Sequence, residues 1–357
     1  MKHALRRTSF LVLALVAMLL VPATARATFP GDNGRIAFTR AGTNGILLMN
    51  HEGKSVTRLT TGFDFAATFS PDGNRVAFAR GWQSEADARK AGIYVVRTDG
   101  THLHRVSGVL RGWAQPPAWS PDGRWIAYED LVVGWDPKKG DETYHGAIYI
   151  VRPSGSALAK LTGYTLRNGQ PTWSPDSARI AFSRGIGKAG NILVMNRDGT
   201  GKAGVTHTSG ILNDAPAWSP SGDTILFERA SADRGTVEVF AIAPDGSNER
   251  QLTSTGGFTM SPKWSPDASR IAYEVMDPDT GTNHLWTMAA DGSDQRDLTP
   301  AHHGWLETSF AWSPDSTVIL YQDGGELCAM TEATAADTEL TSTTATEYVD
   351  DWQAAGT

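Results

Sequence analysis

The sequence contains a single cysteine, Cys328, among its 357 residues. No disulfide can form within the chain, so its stability has to come from its core and its hydrogen bonds. Cys328 stands in an alternating apolar stretch, Leu327 to Met330, that is typical of a strand. Thiols in such strands usually serve as small apolar fillers, and we assign Cys328 no chemistry.

Several signatures of catalysis are also missing. The chain has no Gly-x-Ser-x-Gly nucleophile elbow, no His-Glu-x-x-His zinc motif and no phosphate-binding Gly-x-x-x-x-Gly-Lys-Ser/Thr. The histidines available to a metal ion, among them His145, His207 and His284, are scattered over different loop types. We therefore expect no catalytic residues, no metal site and no cofactor, and we predict that the protein is not an enzyme.

A long apolar run occurs only near the start of the chain. Phe10 to Val21 is apolar, basic residues precede it, and Ala25-Arg26-Ala27 forms a small-x-small cleavage site. Residues 1–27 are thus predicted to be a secretory signal peptide. The run is shorter than the roughly 20 residues that span a bilayer, so we expect no transmembrane anchor. The exported protein should be periplasmic, wall-associated or secreted.

Basic residues are too few for a nucleic-acid partner. The chain carries 32 Lys and Arg against 39 Asp and Glu, a formal net charge of −7. The predicted signal peptide holds four basic residues and no acidic one, so its removal moves the charge to −11. Phosphate binding needs a concentrated basic surface, which this composition does not supply.

What the sequence does contain is an internal repeat. An aromatic residue followed by Ser-Pro recurs six times at spacings of 45 to 54 residues, and a lone Trp352 follows the series. Each copy precedes a short apolar strand such as Ile126-Ala-Tyr128, a second strand such as Ile192 to Asn196, a turn and a Leu-Thr ending. Proline and aspartate favour the turn, and glycine accepts the left-handed conformation that follows. The pattern predicts four antiparallel strands per unit.

Such a unit cannot bury both of its faces alone and must stack against its neighbours around an axis, as a propeller blade does. An aromatic residue that recurs in register is what a stacked core requires. We therefore predict a structural role, packing between blades, for the motif aromatics Phe69, Trp119, Trp173, Trp218, Trp264, Trp312 and Trp352.

The motif Trp119-Ser-Pro-Asp-Gly123, the following Ile126-Ala-Tyr128 and the Leu-Thr ending resemble the repeat of TolB-type propellers, over residues 29–352. The resemblance implies an all-β propeller for residues 28–357. Similar repeats occur in the periplasmic TolB protein, which binds envelope partners, in propeller domains of certain serine peptidases, and in some pectate-fragment lyases.

The two ends of the chain each supply part of one unit. Gly34 to Phe38 matches a second strand without room for a full first strand, whereas Val349 to Trp352 is a first strand with no second. We predict seven four-stranded blades in a ring closed by the carboxy-terminal strand, which leaves no open edge. A six-bladed ring is the alternative.

In such propellers the loops that enter the innermost strands gather at one mouth of the central channel. We predict that the residues binding a ligand or partner lie there: Arg111, Trp113, Gln115, Arg167, Asn168, Asp214, His302, His303, Trp305 and Glu307. Trp113 and Trp305 are outside the repeat register and are candidates for stacking on a sugar or a peptide. The alternative is that each covers a neighbouring loop as an apolar contact.

The favoured function is that of an exported, monomeric, non-catalytic propeller. Its rim loops would bind a protein or a polysaccharide of the cell envelope or the extracellular space. The alternative is a uronate or oligosaccharide lyase, in which His302 or His303 and Arg111 or Arg167 would act on a uronate in the channel mouth. A third possibility is a structural protein with no rim site.

Overall fold

The computed structural model describes residues 29–82, 87–112, 115–136, 141–186, 189–233, 235–277, 281–300 and 310–355. Their regular structure is almost entirely β-strand, with a short 3-10 turn at Ala88–Lys90. Within these ranges, no helix is long and apolar enough to cross a membrane. The predicted signal peptide, residues 1–27, lies outside the described residues.

Strands follow one another along the whole described chain. In chain order they are β1 (Asp32–Arg40), β2 (Thr43–Met49), β3 (Thr57–Arg58), β4 (Asp64–Phe69), β5 (Arg75–Arg80), β6 (Gly92–Arg97), β7 (His104–Arg105), β8 (Ala118–Trp119), β9 (Ile126–Asp136), β10 (Asp141–Val151), β11 (Ala159–Lys160), β12 (Arg167–Trp173), β13 (Arg179–Ile186), β14 (Ala189–Asn196), β15 (Ala203–Gly204), β16 (Asn213–Trp218), β17 (Ile225–Ala230), β18 (Val237–Ile242), β19 (Arg250–Gln251), β20 (Phe258–Trp264), β21 (Arg270–Met276), β22 (Asn283–Ala289), β23 (Arg296–Asp297), β24 (Phe310–Trp312), β25 (Val318–Asp323), β26 (Glu326–Thr331), β27 (Ala336–Glu339) and β28 (Glu347–Ala355).

These strands form antiparallel groups of four, so the predicted all-β architecture is confirmed. Four sheets follow chain order, namely β4 to β7, β8 to β11, β12 to β15 and β24 to β27. The sheet of β16 to β23 has eight strands, because a parallel pair, Val237 with Phe258, joins two groups of four. A further sheet has the order β28, β1, β2, β3 and so combines the two ends of the described chain.

The pairing of β28 with β1 is antiparallel and extends along both strands. Ile36 lies opposite Trp352, and Arg40 lies opposite Glu347. In this sheet β28 takes the position that the aromatic strand takes in the others. The backbone groups along one edge of β28 are paired with those of β1.

The motif tryptophans join consecutive groups. An indole N–H donates to the carbonyl oxygen that precedes the motif aromatic of the group before it, at 3.0 to 3.3 Å, in four pairs: Trp119 with Thr68, Trp173 with Ala118, Trp264 with Ala217, and Trp312 with Lys263. The seven motif aromatics are all buried. Each core cluster therefore draws on two neighbouring groups, as where Ala181 of β13 packs with Trp218 and Phe227 of the next group.

The Ser-Pro corners follow from the chemistry of their side chains. At Ser120 the hydroxyl donates to Asp122 and accepts the backbone N–H of Trp125 at 2.9 Å. Gly123 takes the left-handed conformation, with φ of 67°. Ser177 and Ala268, which replace glycine in other copies, take it too, with φ of 58° and 61°. The corner geometry is therefore imposed by the repeat even where a side chain makes it less favourable.

Candidate functional site

The corner ends of neighbouring aromatic strands meet around one cavity, so the two ends of these innermost strands define two mouths. We call the end where they begin, at residues such as Asp64 and Arg167, the entry mouth. We call the end where they finish in Ser-Pro corners, at Pro71 and Pro175 for example, the corner mouth. Of the predicted binding residues that the structure describes, Arg167, Asn168 and Asp214 lie at the start of innermost strands and so at the entry mouth.

A repeated clamp holds the entry mouth together. In this clamp, an acidic or amide side chain at the start of an innermost strand accepts a hydrogen bond from an arginine of the second strand. Asp64, for example, accepts two hydrogen bonds from Arg80, at 2.5 and 2.8 Å. Asn213 accepts from Arg229 at 2.7 Å, and Glu347 pairs with Arg40. These arginines are donors to groups of their own sheet.

Asn168, one of the predicted binding residues, belongs to this clamp. Its Oδ1 accepts from Arg184 Nε at 2.9 Å, and its Nδ2 donates to the carbonyl oxygens of Gly146, Gly163 and Leu166. The residue is buried, so the structure gives its amide the role of joining two sheets.

Arg167, the neighbouring residue, is held between two carboxylates from adjacent groups. Its Nε lies 3.6 Å from Oε1 of Glu129, and its Nη1 lies 3.8 Å from Oδ2 of Asp214. The Arg167 side chain keeps 31% of its surface exposed, whereas that of Glu129 is fully buried. The three side chains form a mixed-charge site at the entry mouth.

The Glu129 carboxylate occupies a space that two glycines leave open. A Cβ at Gly146 or at Gly169 would collide with its oxygens. The backbone N–H of Gln170 donates to Glu129 Oε2 at 3.3 Å, and Oε1 has no hydrogen-bond donor among the described residues. Burial raises the pKa of Glu129 above its usual range, and the Arg167 charge opposes part of that rise.

Other buried acidic side chains also hydrogen-bond to the backbone of a neighbouring group of strands. Glu228 accepts the N–H of Ser261 at 2.7 Å, and Asp350 accepts that of Ala67 at 3.1 Å. Burial raises the pKa of Glu228 to about 8 and that of Asp350 to about 7. Burial also raises the pKa of Glu274, which the Lys263 ammonium partly offsets.

Ser261 and Ala67 lie at bulges of the innermost strands, where backbone N–H groups leave the sheet ladder. The buried acids therefore satisfy donors that the bulges would otherwise leave unpaired. Sequence reasoning missed them, although a signal existed: an acid directly after the apolar triplet of strand two, as at Glu129, Glu228 and Glu274.

Arg111 lies on the same side of the channel and is exposed. Its guanidinium carbon lies 5.1 Å from the centroid of the Tyr164 ring, and its backbone N–H donates to Asp130 at 2.9 Å. The Tyr164 hydroxyl donates to Asp130 as well, at 2.5 Å. Tyr164, which the sequence did not single out, thus positions a cation–π contact at the rim.

The remaining predicted residues divide into two sets. Gln115 is buried, and its Oε1 has no donor among the described residues. Five predicted site residues lie outside the described ranges: Trp113, His302, His303, Trp305 and Glu307. Within the described ranges, no group of three or more His, Cys, Asp or Glu side chains is arranged to hold a metal ion.

The corner mouth holds a cavity of about 450 Å³. Its wall consists chiefly of prolines and aromatic rings, most of them from the repeat motif: Phe29, Pro30, Phe69, Pro71, Trp119, Pro121, Pro171, Trp173, Pro175, Trp218, Pro220 and Pro266. This cavity is lined by the repeat itself, whereas the prediction placed the binding residues at the other mouth.

The family of the chain follows from its sequence. The model of the TolB beta propeller domain matches residues 116–347, which is well over half of the chain. This protein belongs to the TolB β-propeller family. The family predicted from the Trp-Ser-Pro repeat is thereby confirmed.

Curated relatives match parts of this TolB-family chain. A protein TolB homolog of Chlorobium luteolum is 29% identical over 172 residues, covering 47% of this chain and 35% of the relative. An uncharacterized peptidase, YuxL of Bacillus subtilis, is 29% identical over 126 residues, covering 35% of this chain and 18% of the relative. The matched region thus spans about a third or less of the length of these relatives.

Solved structures share the fold over most of this chain. TolB of Acinetobacter baumannii is 19% identical with a TM-score of 0.56, covering 88% of this chain and 81% of that one. An oligogalacturonate lyase in complex with manganese is 18% identical with a TM-score of 0.65, covering 87% and 90%.

These comparisons correct one prediction. The absence of catalytic motifs led to the expectation that the protein is not an enzyme, and this inference was wrong, because a peptidase and a lyase stand among the similar proteins. The physical reason is that a propeller scaffold is rigid while its mouth loops vary independently. The frame therefore accommodates catalytic as well as binding sites, and missing motifs do not decide between them.

Proposed function

We propose that residues 1–27 direct export, that residues 28–357 form a seven-bladed propeller closed by β28, and that its entry mouth binds a protein partner in the cell envelope. The pairing of β28 with β1 supports the closed ring, and the grouping of the strands in fours supports seven blades. The TolB family supports the envelope and a protein partner.

The observation that carries the proposal is the geometry of Arg167. Glu129 and Asp214, from the groups on either side, flank its guanidinium at 3.6 and 3.8 Å and leave 31% of the side chain exposed. A pre-positioned arginine loses little conformational freedom on binding, which is why arginines of this kind serve as anchors in interfaces. Arg111 on Tyr164 adds a second positioned cation on the same side.

Charge favours a protein over an acidic polysaccharide as the partner. Residues 208–357 carry 24 Asp and Glu against 6 Lys and Arg, whereas residues 28–207 carry 15 acids and 22 bases. A polyuronate would be repelled by the acidic half, and at the mouth Arg167 is already offset by two carboxylates. A protein surface with charges of both signs complements this arrangement.

A uronate lyase is the second candidate, favoured by the oligogalacturonate lyase that shares the fold over 87% of the chain. In that function Arg167 would pair with the carboxylate of the sugar. The two carboxylates beside Arg167 oppose this pairing, which ranks the lyase second.

A pull-down tests the first candidate. Residues 28–357 serve as bait for solubilised envelope proteins, beside an Arg111→Ala/Arg167→Ala variant. We expect a protein that the native bait retains and the variant loses. The matched control is Lys54→Ala, because Lys54 is 74% exposed on a turn far along the chain from either arginine. A partner retained equally by the double variant would refute the entry mouth as its site.

The same preparations test the second candidate. They are incubated with oligogalacturonate, and unsaturated product is followed by its ultraviolet absorbance. Product from the native chain that the Arg111→Ala/Arg167→Ala variant does not form would establish the lyase in place of the partner-binding function. Thermal melts of all variants show whether a loss arises from unfolding.

A further inference from the structure

The corner-mouth cavity has the properties of a binding site in its own right. Its volume of about 450 Å³ lies within the range of ligand pockets, roughly 300 to 1,000 Å³. Its wall is apolar apart from a few polar side chains, among them Thr172, Ser219 and Asp351. Pockets of this size and composition take apolar groups and orient them through a few hydrogen bonds.

One wall residue carries an unused hydrogen-bond donor. The indole N–H groups of Trp119 and Trp173 donate to backbone carbonyls of the preceding group. Trp218 lines the same cavity and is buried, yet its Nε1 has no acceptor among the described residues. This Nε1 is itself buried, so Trp218 contributes its ring, and not this N–H, to the wall of the cavity.

The chain itself already occupies the part of the corner mouth that borders this cavity. Phe29 and Pro30 lie in its wall, and the Phe29 side chain packs against the core cluster that contains Trp119 and Tyr128. The backbone N–H of Gly31 donates to the carbonyl of Pro314 at 3.3 Å, and β1 begins at the next residue. The segment therefore crosses the corner mouth from the group of Trp119 to that of Pro314.

We propose that the corner mouth is a peptide-binding site for an extended segment with an aromatic residue followed by proline, and that Phe29 and Pro30 occupy it in cis. The contacts of Phe29 show that the indoles and prolines of the wall accept an aromatic ring. A proline ring packs on aromatic faces with little loss of conformational freedom, because its backbone is already restricted.

The carboxylate of Asp351 sets the charge preference of the site, because Asp351 is the one ionisable side chain among the described residues of the wall. Its oxygens accept the backbone N–H groups of Phe69 and Trp352, at 2.8 and 2.9 Å, which fixes it in place. A positively charged peptide end is favoured beside it, and an acidic one is disfavoured.

This site is separate from the entry mouth. β12 begins with Arg167 at the entry mouth and ends with Trp173 at the cavity. Seven residues of strand at about 3.3 Å each separate the two by roughly 20 Å. Binding at the corner mouth is therefore independent of the function proposed for the entry mouth.

The test uses a synthetic peptide, Thr-Phe-Pro-Gly-Asp, which copies residues 28–32 and has a free amino terminus. Its phenylalanine carries a ring fluorine, and binding to residues 28–357 is followed by fluorine NMR. The variant Phe29→Ala removes the competing ring, so the dissociation constant should be at least about tenfold lower for this variant than for the native chain. Equal affinities would refute occupancy in cis.

Two further variants keep the test decisive. Thr172→Phe, made in the Phe29→Ala chain, fills the cavity from β12 and should abolish binding; unchanged binding there would show that the peptide sits elsewhere. Leu158→Ala, an exposed side chain on the outer side of its sheet, is the matched control and should leave the affinity unchanged. The Thr172→Phe variant fills space and does not create a new cavity in the core. A cooperative thermal melt shows whether it folds.

Discussion

The two mouths of the channel are built from the same strands but from opposite chemistry. At the entry mouth the strands begin with residues that differ from group to group, Asp64, Arg167 and Asn213 among them, joined by ion pairs and amide hydrogen bonds. At the corner mouth all but β28 end in the aromatic-Ser-Pro pattern, which packs into apolar clusters. Packing between groups therefore constrains one end of every strand and leaves the other end free to acquire function.

Removing β28 should have the largest effect on both mouths. Deletion of residues 346–357 takes away the inner strand beside β1, together with the buried Trp352 and the acceptors Asp350 and Asp351. We expect a loss of stability greater than the ~3–5 kcal/mol that truncation of one buried tryptophan costs. Chemical denaturation measures it, and an unchanged midpoint would contradict closure by β28.

A single truncation at the corner end should come next. Trp173→Ala removes a buried ring and its hydrogen bond to Ala118, and should cost ~3–5 kcal/mol. The control is Trp82→Ala, which removes a ring that is 36% exposed, with an expected cost within about 1 kcal/mol. Equal costs in urea denaturation would mean that the motif aromatics do not hold the groups together.

The buried acids should make stability depend on pH. The folded pKa of Glu228, about 8, is above its ordinary value of 4.5, so the folded protein holds a proton that the unfolded chain releases between these values. The contribution of protonated Glu228 to the free energy of unfolding is therefore complete below pH ~4.5 and is lost as the pH rises through ~8. Glu228 faces Asp214 and Glu274, whose charges add to this loss, and the N–H of Ser261, which opposes it.

Glu228→Gln keeps an acceptor for Ser261 but cannot ionise. At about pH 8.5 this variant should be more stable than the native chain by roughly 2 kcal/mol, and near pH 5 the two should be similar. The control Glu249→Gln alters a carboxylate that is 37% exposed and pairs with Arg229, and should shift stability by less than about 1 kcal/mol. Thermal melts across the pH range measure this difference. Parallel curves of melting temperature against pH for Glu228→Gln and the native protein would show that the pKa of Glu228 is not raised in the fold.

The rim arginines should affect stability least. Arg167→Ala leaves the buried Glu129 carboxyl without its neighbouring positive charge, and should cost roughly 1–2 kcal/mol at pH 8. The cost should fall as the pH is lowered, because burial raises the pKa of Glu129 and a neutral carboxyl needs no counter-charge. Arg111→Ala, at an exposed position, should cost about 0.5 kcal/mol or less. A cost for Arg167→Ala that does not change with pH would refute its coupling to Glu129.

Sequence reasoning reached the family, the four-stranded groups and the partial units at each end, because the repeat recurs in register at Trp119, Trp173 and Trp218. It also placed Arg111 and Arg167 at the mouth where the innermost strands begin. It did not find Glu129, Glu228 or Asp350, because each acts on a backbone N–H of a neighbouring group that is distant in sequence. It treated Asn168 as a binding residue because an exposed loop amide and an amide that joins two sheets look alike in sequence.

The sequence by itself determined the repeat, its turns and its apolar strands, since these depend on residues within a few positions of one another. Only the tertiary structure decided what lies between the groups: the carboxylate in the space left by Gly146 and Gly169, the arginine between Glu129 and Asp214, and the cavity that Phe29 lines. These features depend on distances between strands that the chain brings together only on folding, because desolvation and contact act through space and not along the sequence.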